Sequence, residues 1–130
     1  MIVVDASIVV ELLTDLGART RLHVRLADES LIAPDLLPVE VASALRGLNL
    51  GGHLDDAALD LAVDDLMRLP VDLHPSLPLV PRILALRSNI SAYDASYVAL
   101  AEAFRCPLLT LDQRLAGAAR TLCSVETLET

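Results

Sequence analysis

At 130 residues, 54% of them apolar and 22% charged, the chain has the size of one domain and too much apolar content for disorder. Its net charge of −8 comes from 18 acids against ten bases, every one of them arginine. The lack of lysine excludes P-loop nucleotide hydrolases, lysine Schiff bases and sites that pair an aspartyl nucleophile with an ammonium, and the acidic balance opposes long-range attraction to nucleic acid.

Ile2-Val3-Val4 reads as a first strand, and Asp5 follows at once, with no basic stretch that would suggest a signal peptide. Ile8 to Leu13 reads as a helix with Ser7 as its cap, and Ala18 to Ala27 as a second helix. Leu31-Ile32-Ala33 is a short strand that Pro34 should stop. Asp35 can cap a helix with Pro38 in its first turn, running to about Leu50 and ended by Gly51-Gly52. Leu59, Ala62, Val63, Leu66 and Leu69 keep helical spacing opposite Asp56, Asp60 and Asp64, and Pro70 closes that helix. Val71-Asp72-Leu73 is a third strand. Pro81 to Ser88 reads as helical. Ser91 can cap a helix from Ala92 to Arg105. Leu108 to Leu111 is a strand, Asp112 caps a helix to Ala119, and Ser124-Val125 is a last strand.

Short β-branched runs alternating with helices define an α/β domain with a parallel sheet, here a single domain over residues 1–130. No apolar run reaches the ~18–20 residues of a membrane span. Two cysteines, Cys106 and Cys123, are too few for a disulfide framework or closed zinc site and suit small core positions, so the expected compartment is the cytosol.

In open parallel sheets, sites lie beyond the carboxyl ends of the strands. Asp5 and Asp112 fall there, and Glu40 and Asp94 sit early in helices that leave the same edge. Taken singly, each has an ordinary structural reading. Asp5 or Asp112 can cap a helix, Ser91-x-x-Asp94 is a capping-box pattern, and Glu40 can be a solvated helix residue. However, Glu40 shares its helix face with the small residues Ser43, Ala44 and Gly47, which permits close approach by another element.

Taken in order, Met1-Ile2-Val3-Val4-Asp5-Ala6-Ser7, Ala33-Pro34-Asp35-Leu36-Leu37-Pro38-Val39-Glu40-Val41-Ala42-Ser43-Ala44-Leu45, Ser91-Ala92-Tyr93-Asp94-Ala95-Ser96-Tyr97-Val98-Ala99-Leu100-Ala101-Glu102 and Leu108-Leu109-Thr110-Leu111-Asp112-Gln113-Arg114-Leu115 resemble the PIN domain, and within it the VapC toxins of toxin–antitoxin pairs. The resemblance covers nearly the whole chain. It implies a three-layer α/β/α fold with a mostly parallel five-stranded sheet. It also implies a metal-binding acidic quartet of Asp5, Glu40, Asp94 and Asp112, with Ser7 and Thr110 as supporting hydroxyls, and endoribonuclease activity on structured RNA such as tRNA or rRNA. The partners it implies are a VapB-type antitoxin and a second copy of the chain.

Four carboxylates packed together repel unless cations or protons intervene. Oxygen donors without His or Cys suit Mg²⁺, or Mn²⁺, which also supplies positive charge that an acidic chain lacks. Arg82, Arg87 and Arg114 are candidate contacts to an RNA backbone, against a solvated-surface reading. Tyr93 and Tyr97 suit core or dimer packing, with base stacking as the alternative. His23, His53 and His74 are scattered, and none pairs with a plausible nucleophile. Two rival readings are a non-catalytic PIN-like binding module, which would not need all four acids, and an aspartyl phosphotransferase with Asp5 as acceptor. The second has neither an adjacent second aspartate nor any lysine to hold a phosphate.

Overall fold

Ile2, Val3 and Val4 are wholly buried, and the sheet is assembled around them. The computed structural model describes residues 1–128. Its strands are β1 (Ile2–Val4), β2 (Leu31–Pro34), β3 (Val71–His74), β4 (Leu108–Leu109) and β5 (Val125–Glu126). They form one sheet of order β3-β2-β1-β4-β5, with every pair parallel. Parallel neighbours need crossovers, and helices provide them. α1 (Ala6–Thr14) and α2 (Arg19–Leu26) join β1 to β2, and α3 (Leu37–Leu50) and α4 (Asp56–Arg68) join β2 to β3. α5 (Val80–Ala85) and α6 (Ala92–Phe104) lead to β4, and α7 (Gln113–Ala119) leads to β5.

α1 packs against α2, α3 and α4, while α6 lies across β1, β2 and β4 with α5 against it. The sheet thus sits between helical layers, the three-layer α/β/α arrangement. α6 is buried continuously from Ala95 to Ala101. Its Ala and Ser positions let it approach the sheet closely, and an apolar surface on all sides is the mark of a central helix. Among the described residues no helix is long and apolar enough to cross a membrane.

Several element ends differ from expectation. The side chain that caps α1 is Asp5, whose carboxylate accepts from the Ile8 N–H at 3.2 Å, and Ser7 lies inside the first turn instead. α3 starts at Leu37 with no side-chain cap, so Asp35 does not serve there. The Asp35 N–H bonds to the His74 carbonyl at 2.9 Å and prolongs the β2–β3 ladder. β2 also runs through Pro34 rather than stopping before it. N–H groups alternate sides along a strand, so the proline nitrogen faces the β1 side, where pairing has already ended at Val3↔Ile32, and no ladder bond is lost. β4 ends at Leu109, two residues early, although the Thr110 N–H still reaches the Glu126 carbonyl. Val63 is 43% exposed and falls outside the buried stripe of α4.

The two-residue edge strand β5 is secured from below by Arg25. Its guanidinium donates twice to Glu126, at 2.7 and 2.8 Å, and once to Glu29, which also holds the Met1 ammonium.

Candidate active site

The register Val4↔Leu109 brings the carboxyl ends of β1 and β4 side by side, and so places Asp5 next to Thr110. Asp5 is 5% exposed. Its Oδ1 accepts from the Ser7 hydroxyl at 2.5 Å and from the Ile8 N–H, and its Oδ2 accepts from the Thr110 hydroxyl. The same two hydroxyls accept in turn. Ser7 Oγ takes the Leu111 N–H at 2.9 Å and Thr110 Oγ1 takes the Asp112 N–H at 3.0 Å. The loop 110–112 is thereby docked on Asp5. Burial pushes the Asp5 carboxyl above its ordinary 3.8, the hydrogen bonds from Ser7, Thr110 and Ile8 oppose that, and the charge of Asp112 adds to it.

Glu40 lies in the first turn of α3, and its Oε1 accepts from the Tyr97 hydroxyl at 2.6 Å. Tyr97 is 2% exposed, so the core reading holds for it, while Tyr93 is 67% exposed. Burial raises the phenol's pKa well above its usual value, and the hydrogen bond and charge of Glu40, then the charges of Asp5 and Asp94, raise it further. One phenol therefore senses three of the four acids. The Tyr97–Glu40 pair was not foreseen, although Tyr97 stands one turn after Asp94 on a helix facing the sheet end.

Asp94 makes only half a capping box: its N–H bonds to Ser91 Oγ at 3.2 Å, but its carboxylate accepts from Arg114 at 3.1 Å. Asp112 does cap α7, through Oδ1 to the N–H groups of Arg114 and Leu115 at 2.9 and 3.2 Å, while its Oδ2 lies 3.7 Å from the Arg114 guanidinium. The four acids, both hydroxyls, Tyr97 and Arg114 thus share one edge of the sheet. Among the described residues, however, no three Asp, Glu, His or Cys side chains stand close enough to enclose an ion.

The remaining candidates lie elsewhere. Arg82 is paired in a fork with Glu102 at 3.0 and 2.9 Å, and Arg87 donates to the Leu84 carbonyl. His74 packs edge-on to Phe104. Cys106 and Cys123 are half-buried free thiols, both raised in pKa by burial, Cys123 to about 11. Beside Ser7 a groove of about 400 Å³ runs over Val10, Leu16, Ala44 and Leu111. Its lining includes the buried Glu11, which accepts from the Ala18 N–H.

Tyr97→Phe should fold but melt at a lower temperature. It removes a partly buried hydrogen bond to a carboxylate, worth about 1.5–3 kcal/mol. A thermal melt matching wild type would show that Tyr97 does not hold Glu40.

The PIN domain pattern matches residues 2–121, and the chain belongs to the PIN domain family. Within that family its likeness is to the VapC ribonucleases. Ribonuclease VapC9 of Mycobacterium tuberculosis is 42% identical over 125 residues, which cover 96% of each chain. Ribonuclease VapC1 of the same organism is 40% identical over 126 residues, 95% of each. The fold also matches the crystal structure of VapBC2 from Rickettsia felis bound to a DNA fragment from their promoter. There the TM-score is 0.70 at 13% identity, covering 99% of this chain and 100% of that one.

Proposed function

We propose that this chain is an endoribonuclease, the toxin of a VapBC-type pair, and that it hydrolyses RNA phosphodiester bonds in the cytosol with one or two divalent cations shared among Asp5, Glu40, Asp94 and Asp112. The observation that carries the reading is the buried Asp5 at the junction of β1 and β4, clustered with three further acids at the sheet edge where such folds bind ligands. The named relatives are ribonucleases over almost the whole chain.

The donor set fits Mg²⁺ or Mn²⁺, since it offers carboxylate and hydroxyl oxygens and no imidazole or thiol. Mg²⁺ keeps several waters and often uses only one or two protein carboxylates beside substrate phosphates, so an open cluster suits it better than a closed cage. When bound, the cation would acidify an attacking water and neutralise charge on the scissile phosphate. The chain's own residues do the positioning. Ser7 and Thr110 fix both oxygens of Asp5, Tyr97 fixes Oε1 of Glu40, and the α7 backbone fixes Oδ1 of Asp112. Such preorganisation spares the carboxylates reorganisation during the reaction.

A structured RNA, tRNA or rRNA, is the proposed substrate, and a VapB-type antitoxin and a second copy of the chain are the proposed partners. Met67 and Leu77, each 80% exposed, stand in sequence on either side of the edge strand β3 and are apolar candidates for contact with that second copy.

The test is end-labelled tRNA and rRNA incubated with the purified protein in EDTA, Mg²⁺ or Mn²⁺. Cleavage is expected only with metal. Equal cleavage in EDTA would remove the cation from the reading, and intact RNA in every buffer would return the chain to a binding module.

A further inference from the structure

Arg114 is the cation of this chain that meets the acidic cluster: among the described residues, the ion pairs reaching those four acids come from its guanidinium. The contact is at the rim, with the arginine side chain 74% exposed and that of Asp94 only 16%. One nitrogen serves both acids, at 3.1 and 3.7 Å, whereas Arg25 and Arg82 each grip a carboxylate with a two-point fork. An exposed single-point pair is weak, and the other N–H donors of the guanidinium stay open for a second acceptor. Helix stability does not explain the residue either. Arg114 stands in the first turn of α7, the end where the helix dipole disfavours a cation.

Resting on the nuclease reading above, we propose that Arg114 is an internal counter-ion that changes partner. It neutralises Asp94 and Asp112 while the site is empty, and it takes a phosphate of the bound RNA once a divalent cation claims those carboxylates. The guanidinium suits that second role, because planar donors match phosphate oxygens. The exchange also lets an acidic surface greet RNA with a positive group only when the site is loaded.

Two effects of opposite sign follow for Arg114→Gln. The metal no longer competes with an internal cation, so the RNA-free protein should bind Mn²⁺ about two- to fivefold more tightly, the scale of an exposed ion pair. RNA loses one phosphate contact, so KM should rise more than kcat falls. The slope of log(kcat/KM) against log salt should flatten by about 0.7, the share of one contact to a single strand. Mn²⁺ calorimetry without RNA reads the first effect, and a fluorogenic RNA titrated at several salt concentrations in saturating Mn²⁺ reads the second. Arg114→Lys, which keeps the charge, should restore most of both. If Arg114→Gln leaves Mn²⁺ affinity and salt slope unchanged, or lowers only the melting temperature, Arg114 is a surface ion pair and the proposal fails. A wild-type protein that binds no Mn²⁺ and cuts no RNA would sink the nuclease reading and this proposal together. A wild type that does both beside an indifferent Arg114→Gln would sink this proposal alone.

Discussion

Asp5→Asn should fold normally and cut RNA at least about a hundredfold more slowly than wild type, the scale of losing one preorganised electrostatic partner. The amide keeps an oxygen for the Ile8 N–H and the Ser7 hydroxyl, and the Thr110 hydroxyl can turn to accept from the new NH₂ group. What disappears is the charge. Its loss has a second readout in the metal-free protein. The folded pKa of Asp5 is raised above 3.8, so its favourable contribution to stability is complete below 3.8 and is lost as the pH rises through the folded value. Asparagine does not titrate. At pH 7 without metal the variant should therefore melt above wild type, and the gain should shrink as the pH is lowered towards 3.8. Mg²⁺ should reverse the order by stabilising wild type through mass action and the variant much less. Undiminished cleavage by Asp5→Asn would overturn its assignment as a metal-holding residue. A melting temperature below wild type at pH 7 would mean that the hydrogen bonds outweigh the desolvation.

Co-expression with the product of an adjacent small reading frame should abolish RNA cleavage and relieve growth arrest, with both proteins co-purifying. A chain of net charge −8 attracts a basic segment, and an arginine or lysine inserted among Asp5, Asp94 and Asp112 would compete with cations for the same oxygens. The groove beside Ser7 offers apolar anchorage on Val10, Leu16, Ala44 and Leu111, and the buried Glu11 adds hydrogen-bond acceptors to its lining. Removing the partner's basic segment should restore cleavage. Separate elution of the two proteins, with growth still arrested, would refute the antitoxin reading and leave the nuclease intact.

The sheet was legible because its strands are short runs rich in Val, Ile and Leu, bounded by proline or acid, and the placing of Asp5 and Asp112 at one edge of the sheet follows from parallel crossovers. Less legible was what each polar side chain does locally. Ser91-x-x-Asp94 satisfies the capping-box pattern, yet only the serine half forms, because Arg114 competes for the carboxylate. Ser7 and Asp5 are both good caps, and only the packing of loop 110–112 decides that Ser7 is turned back as a donor to Asp5. The Tyr97–Glu40 bond joins residues 57 apart in sequence, and no local pattern encodes it. Arg82, Arg87 and Arg114 look alike as solitary arginines. Arg87 bonds locally to the Leu84 carbonyl, while the fates of Arg82 and Arg114 separate only once their partners on α6 are in place.

The central place of β1 ties assembly of the proposed site to the arrival of β4 and the loop that follows it. Asp5 and Thr110 touch across 105 residues of sequence, and β1 finds its second neighbour only when β4 arrives. Contacts of such separation form late, because the entropy of closing the intervening loop must be met first. A chain folded only through α6 already owns Asp5, Glu40 and Asp94, but not the Thr110 hydroxyl that fixes Asp5, nor Asp112, nor Arg114. On the proposed nuclease reading, an amino-terminal fragment ending at α6 should therefore cut no RNA, and cutting should appear only once β4 and α7 are in place.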